Sequence, residues 1–414
     1  MRSNHLSSMK SPLFKNRFFI RYIAGLCGSH FAYNMLVVAI GWHIYDLTNS
    51  ALSLGLIGLF QFLAQFLFSL AAGYVADRYD RRIVISICQA IQGVMALVLA
   101  VGSYGDWMTS ALIYVCSFFI GAARAFYSPA AQAIMPALVR RDLLPNAISL
   151  SSAARNGAAI AGPALGGVIY LFGAAAAYAT GAALFLAGSM LIASIRLPYT
   201  AIKKEPATLK SAFAGFVYIR HHPVLLGSIS LDLFAVLLSS AVALLPIYAR
   251  DILHTGPWGL GLLRAAPALG ALLASGILVK YTFTQRVGHI LFASVALFGV
   301  ASIVFGLSDS LLLSMLALIV LGGADMVSVV IRMSLVQFET PDQMLGRVSA
   351  VNSIFIGASN QLGAFQAGVV ASLIGAIPAV VVGGLGTLVV AALWMRLFPS
   401  LVTREALNTA AAKT

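Results

Sequence analysis

Apolar runs of about 20 residues recur along the whole chain, separated by short polar segments. Each run is long enough to cross roughly 30 Å of hydrocarbon as a helix. Hydrophobic residues make up 60% of the chain and charged residues 9%, against about 25% charged in an ordinary soluble domain. That balance cannot give a water-facing surface. The 414 residues have room for about twelve spans with short loops, which leaves no segment for a separate soluble catalytic domain. An all-α, polytopic membrane protein is the expectation.

The formal net charge is +13, and its placement decides what it means. Lys10, Lys15, Arg17 and Arg21 precede the first run; Arg78, Arg81 and Arg82 follow the second; Arg140 and Arg141 follow the fourth. Arg196, Lys203, Lys204 and Lys210 follow the sixth, Lys280 and Arg286 the eighth, Arg347 the tenth, and Arg396 and Arg404 the last. The alternate loops carry Asp46, Asp106 and Asp309, with Arg250 as their one base. By the positive-inside rule both termini face the cytoplasm of a bacterial inner membrane, and the number of spans is even. Bases distributed this way contact the anionic lipid leaflet and give no nucleic-acid face. The first run continues for a full span with no small-residue cleavage site, so it reads as a first helix and not a cleaved signal. Cys27, Cys88 and Cys116 sit inside apolar runs and read as small buried hydrophobes.

The expected spans are 18–43, 51–75, 83–103, 109–131, 146–171, 174–196, 222–248, 257–279, 287–307, 310–334, 345–372 and 378–398. The longest polar stretch, Arg196 to Lys210 with Pro198, Glu205 and Pro206, divides them six and six. Residues 1–196 and 221–414 are thus expected to form two helical bundles joined by a cytoplasmic linker, 197–220. A shift of 203 residues lays Ile44-Tyr45 on Ile247-Tyr248, Gly58 on Gly261, Leu59 on Leu262, Ala71 on Ala274 and Gly73 on Gly276. Two parallel six-helix repeats place a substrate site near the midplane between them.

Between the second and third spans stands Gly73-Tyr74-Val75-Ala76-Asp77-Arg78-Tyr79-Asp80-Arg81-Arg82. Gly73 allows close helix contact, and the arginines hold the loop at the anionic leaflet. The segment resembles the G-x-x-x-D-R-x-G-R-R signature of the major facilitator superfamily. That resemblance implies the twelve-helix fold and a conformational latch at Gly73, Asp77, Arg78, Arg81 and Arg82. Asp80 replaces the usual glycine, but Asp tolerates turn conformations. The second-half counterpart, Gly276 to Arg286, puts Lys280 where Asp77 stands. In the fifth span, Gly162-Pro163-Ala164-Leu165-Gly166-Gly167 resembles the G-P-x-x-G-G signature that the family associates with exporters. A kink that serves packing alone needs the same residues. At a finer level the chain is similar to the drug and siderophore efflux branch. Pro136-Ala137-Leu138-Val139 through Asn146-Ala147, Leu245-Pro246-Ile247-Tyr248, Gly261 through Pro267, and Thr340-Pro341-Asp342 through Gly346-Arg347 carry that similarity.

Ionisable side chains at mid-depth cost about 2.5–3.5 kcal/mol each and are functional candidates by default. Asp232 in the seventh span, His30 in the first, Arg124 in the fourth and Asp325 in the tenth lie there. In the family those four spans line the cavity. Asp232 or Asp325 is the expected proton carrier, Arg124 a counter-charge or anion contact, and His30 a polar contact or second titrating group. Static pairing, Asp325 with Arg124 or Asp232 with Arg264, is the alternative. Arg155, Arg264 and Arg332 fall nearer the span ends, where long side chains snorkel. Asn34, Arg264, Asn360 and Gln361 are candidate substrate contacts, though interhelical hydrogen bonding explains the amides equally well.

The leading expectation is a secondary transporter, a proton-coupled and monomeric exporter of an amphipathic small molecule such as a siderophore or drug. A proton-coupled importer and a non-transporting receptor or scaffold are the alternatives. An enzyme is disfavoured, since no H-E-x-x-H or G-x-x-x-x-G-K-[ST] pattern is present. No cofactor or metal is implied.

Overall fold

The computed structural model describes residues 12–196, 209–280 and 285–405. Lys10 and the linker residues Pro198, Lys203, Lys204, Glu205 and Pro206 lie outside the described residues.

Six helices come before the linker: α1 (Arg17–Thr48), α2 (Ala51–Arg78), α3 (Arg81–Tyr104), α4 (Ser110–Leu138), α5 (Leu144–Tyr170) and α6 (Ala174–Ala193). Their starts are set by short polar side chains that accept from the first free backbone N–H groups: Asn16 for α1, Ser50 for α2, Asp80 for α3 and Thr109 for α4. A short helix, α7 (Leu209–His221), leads into the second set: α8 (Pro223–Leu238), a single turn α9 (Leu245–Ile247), α10 (Gly256–Lys280), α11 (Val287–Leu307), α12 (Leu311–Glu339), α13 (Asp342–Ile374) and α14 (Ala376–Leu397). The one-turn α15 (Pro399–Val402) follows. Arg404 and Glu405 beyond it cap α11, with the Val287 and Gly288 amides donating to the Glu405 and Arg404 carbonyls.

Counting the seventh span as the stretch from Pro223 to Ile252, ten of these units are long and apolar enough to cross a bilayer. The two long helices outside that set, α5 and α13, carry polar residues along their length, Asn146, Ser149 and Arg155 in one and Arg347, Asn352 and Asn360 in the other. They are also the helices that join the two sets, since α5 packs on α10 and α13 on α2. These two seams are equivalent under the 203-residue repeat. A side chain at Gly58 would meet the Gln361 carbonyl oxygen at 2.8 Å, and one at its repeat partner Gly261 would meet the Pro163 carbonyl oxygen at 2.6 Å. Only glycine lets both seams close.

The seventh span departs from the continuous helix expected over 222–248. α8 ends at Leu238, a 3-10 turn covers Ala241–Leu244, and a π turn covers Tyr248–Ile252. Pro246 has no N–H and its ring excludes the carbonyl four residues back, that of Val242. Arg264 Nη1 donates to that freed oxygen at 3.3 Å. Ser240 Oγ donates to the Val236 carbonyl at 2.9 Å, and Ser239 Oγ to Ser302 Oγ at 2.8 Å. Hydropathy stays high through the break, which is why span length alone hides it.

Gly261→Ala is expected to lower stability by about 1–3 kcal/mol, the usual cost of overpacking, read as a lower thermal midpoint of the purified protein. Gly276, whose Cβ would meet nothing within 4 Å, is the control: Gly276→Ala should be neutral or slightly stabilising. Equal midpoints for the two variants would contradict the seam.

Candidate functional site

A cavity of about 520 Å³ lies between the two sets of helices, within the size range of small-molecule sites. Leu36, Ile40, Ile57 and Phe298 give it apolar walls, and Tyr33, Gln61, Arg264, Asp325, Asn360 and Gln361 supply the polar positions. Gln361 Nε2 donates to Gln61 Oε1 at 3.3 Å, which bridges α13 and α2. Of the four expected contacts, Arg264, Asn360 and Gln361 line the cavity. Asn34 instead donates to the His30 carbonyl at 2.8 Å on its own helix and packs over Gly162.

One wall of the cavity leads to a buried charge cluster. Asp232 on α8 and Arg332 on α12 are 8% and 6% exposed and form an ion pair. Arg332 Nε also donates to Ser328 Oγ at 3.1 Å, and its Nη2 stands 4.0 Å from Asp325 Oδ1. Asp325, with 45% of its side chain exposed, is the member that reaches the cavity. A void of about 10 Å³ separates the two carboxylates, near the least volume that holds one water. The partner of Asp232 is therefore Arg332, not Arg264, and Arg332 is buried instead of snorkelling. The spacing Asp325, Ser328, Arg332 puts all three on one face of α12, a signal present in the sequence.

On the opposite side, the Arg124 guanidinium sits 3.6 Å from the centroid of the Tyr33 ring, and His30 meets Tyr127 edge-on with centroids 6.3 Å apart. Arg155 is exposed and donates to Ser152 Oγ at 2.9 Å. The expected group on each cavity helix thus divides in two: His30 and Arg124 are held by aromatic rings in the first set, Asp232 and Asp325 by Arg332 in the second. Asp325 and Arg124 do not form an ion pair.

The cavity is shut at one end by a cluster that sequence reasoning missed. Arg250, just after α9, lies 3.2 Å from Asp46 at the end of α1, and Tyr45 Oη donates to the Asp251 carboxylate. A side chain at Gly167 would meet the Pro257 carbonyl at 2.4 Å at this same end. Tyr45 and Tyr248 are repeat partners, so the pairing of these two span ends was traceable in principle. At the other end the sets part: Arg155, Asn156 and Gly157 are exposed, and nothing lies within 4 Å of a Cβ built on Gly157.

The two sequence motifs occupy opposite ends. Arg78 Nη1 donates to Tyr74 Oη at 2.6 Å, Arg81 Nη1 to the Ala133 carbonyl at 3.3 Å, and Arg82 Nη1 to the Ile195 carbonyl at 2.5 Å. In this conformation Arg81 pins the loop to α4 and Arg82 pins it to the segment just after α6. Gly73 lies within α2; the side chain of Asp77 lies outside the described residues. Asp80 keeps the turn without a left-handed backbone, at φ −60°. It caps α3 and pairs with Arg82, whose guanidinium holds its carboxyl below the usual carboxylate range. In α5, Gly162 and Gly166 abut Asn34 and Met35 of α1, while the Pro163 carbonyl abuts Gly261 of α10. The helix is continuous from Leu144 to Tyr170 with Pro163 inside it, and this segment packs α5 against α1 and α10.

A family model described as "Transmembrane secretion effector" matches residues 7–413. The chain is 28% identical over 402 residues to the enterobactin exporter EntS of Citrobacter koseri, covering 96% of this chain and 94% of that one. It is 26% identical over 394 residues to EntS of Escherichia coli O1:K1, covering 94% and 92%. In structure it resembles a point mutant of the nucleoside transporter NupG, with a TM-score of 0.75, 13% identity, and 92% of this chain and 100% of that one covered. It also resembles a bacterial homolog of the human lysosomal transporter Spinster, inward-facing and unoccupied, with a TM-score of 0.74, 15% identity, and 95% and 99% covered.

Arg332→Ala leaves the Asp232 carboxylate buried without its counter-ion, at an expected cost of about 3–5 kcal/mol. Replacing both partners, Asp232→Asn with Arg332→Gln, should recover most of the thermal midpoint in detergent. A double variant as unstable as Arg332→Ala would show that the pair does not hold the second set together.

Proposed function

We propose that this chain, which belongs to the transmembrane secretion effector family of major facilitator transporters, is an exporter. It carries an amphipathic small molecule across the bacterial inner membrane by alternating access, as a monomer with both termini in the cytoplasm. Residues 1–196 and 221–414 rock against each other about the cavity, and the linker 197–220 spans the two. α7 supports placing the end of that linker with the second bundle, because it packs on α13 and Tyr218 Oη donates to the Glu339 carbonyl at 3.0 Å.

The observation that carries the reading is a cavity with the ionisable Asp325 in its wall, shut at one end by the Arg250–Asp46 and Tyr45–Asp251 contacts, with the exposed residues Arg155, Asn156 and Gly157 at the other. With the topology read from charge, the open end faces the cytoplasm. Export direction and substrate class are supported by the relatives named as enterobactin exporters. Protons moving inward are the drive. Asp325 exchanges the proton with the cavity, Arg332 remains on Asp232, and the Asp325 carboxylate draws on Arg332 when it is ionised. His30, which meets Tyr127 outside the cavity lining, is no more than a polar contact. On opening the closed end, the Arg250–Asp46 and Tyr45–Asp251 contacts break, while Gly73, Asp77, Arg78, Arg81 and Arg82 latch the opposite end.

In proteoliposomes with enterobactin as probe, a pH gradient should accelerate transport by the native chain. In Asp325→Asn that acceleration should fall at least tenfold while exchange without a gradient persists. Gradient-driven transport that survives unchanged in Asp325→Asn would remove the residue as carrier.

A further inference from the structure

The charge content of the cavity and its approaches is one-sided. Of the chain's 13 acidic residues, Asp232 and Asp325 lie well inside their spans while Asp46, Asp77, Asp251, Glu339 and Asp342 stand at helix or span ends; Arg124, Arg155, Arg264 and Arg332 all lie well inside their helices. Arg332 and Asp232 neutralise each other. That leaves Asp325 facing three guanidinium groups, and among the described residues none of those three has a carboxylate within 4.0 Å. Arg124 is stacked on Tyr33, and Arg155 is exposed and donates to Ser152 Oγ. Arg264 is the one that lines the cavity itself, and its guanidinium makes a single hydrogen bond, to the Val242 carbonyl of the broken seventh span.

A guanidinium carries five donors, cannot be deprotonated, and is costly at membrane depth unless something answers its charge. The bond to the Val242 carbonyl, at 3.3 Å, occupies one donor of the fork and leaves the others beside the cavity that Arg264 lines. Planar, bidentate recognition of an oxyanion is what a fork of this kind does best. The apolar walls at Leu36, Ile40 and Phe298 and the Tyr33 ring leave room beside it for a hydrocarbon or aromatic body.

We propose that the transported molecule is an amphipathic organic anion whose carboxylate or other oxyanion seats on Arg264, with Arg124 holding the Tyr33 face of the cavity positive. This deepens the exporter reading and rests on it for the direction of movement. The outward step of an anion is favoured by an inside-negative membrane potential, as is the inward step of a proton.

The full chain in a neutral detergent is titrated at equilibrium with two fluorescent probes of one shape, 1-pyrenebutyrate and its uncharged amide, and binding is read by anisotropy. The native chain should bind the carboxylate at least tenfold more tightly than the amide. Arg264→Gln should bring the two to parity through loss of carboxylate affinity, and Arg264→Lys, which keeps the charge but not the planar fork, should retain part of the preference. Equal or tighter binding of the amide by the native chain overturns the inference without need of any variant, as does a preference that persists in Arg264→Gln. A tenfold preference for the carboxylate together with absent outward transport in proteoliposomes would leave the anion site standing and sink the exporter reading. Proton-driven export without that preference would do the reverse.

Discussion

Keeping an ionised guanidinium in the middle of a bilayer is the constraint around which the second half of the molecule is arranged. Arg332 is buried, and each uncompensated charge at such depth costs about 2.5–3.5 kcal/mol. α12 brings Ser328 and Asp325 onto the same face as Arg332, and α8 must present Asp232 to that face. The rotation of α8 about its axis is thereby set, and with it the point at which the seventh span breaks into the cavity wall. The second arginine of this half, Arg264, satisfies the carbonyl that Pro246 releases at the break. Charge neutralisation and backbone satisfaction are thus solved together, next to the space where a small molecule fits.

The two halves meet through a different physics. Lipid offers no hydrophobic force between helices, so the seams depend on close backbone approach at Gly58 and Gly261. α5 and α13, which pack across the two seams, carry the polar residues that keep them out of the most apolar set, and α13 also lines the cavity through Asn360 and Gln361. The shut end adds Arg250–Asp46 and Tyr45–Asp251, contacts exposed enough to exchange with water. Such contacts are individually weak, which suits an end that has to open in each transport cycle.

Much of this was legible in the residues. The apolar runs located the long helices, although α1, α4 and α12 run on to Thr48, Leu138 and Glu339, past the expected ends at 43, 131 and 334, and the repeat register paired Gly58 with Gly261, the two positions where the seams close. The Gly73–Arg82 motif and the fifth-span motif announced the family that the comparison with known sequences bears out. The break in the seventh span was hidden because its residues are as apolar as a helix needs to be, and only Pro246 signalled it. Arg332 was misplaced because distance from a span end is a poor guide when a helix runs to 29 residues, as α12 does. Its spacing from Asp325 and Ser328 was the better evidence. The Tyr45–Asp251 closure joins residues 206 apart, a contact that one sequence without its repeat partner in view does not reveal.

The most direct test of the account is the protonation of Asp325 itself. Infrared difference spectra of the reconstituted chain, taken between alkaline and acidic pH, report the C=O stretch of a carboxylic acid buried in the protein. The account predicts a band that grows as the pH falls, is lost in Asp325→Asn, and persists when the surface pair residue Asp142 is replaced by Asn. A spectrum unchanged in Asp325→Asn would show that the proton goes elsewhere and would contradict the role given to the Asp232–Arg332–Asp325 cluster.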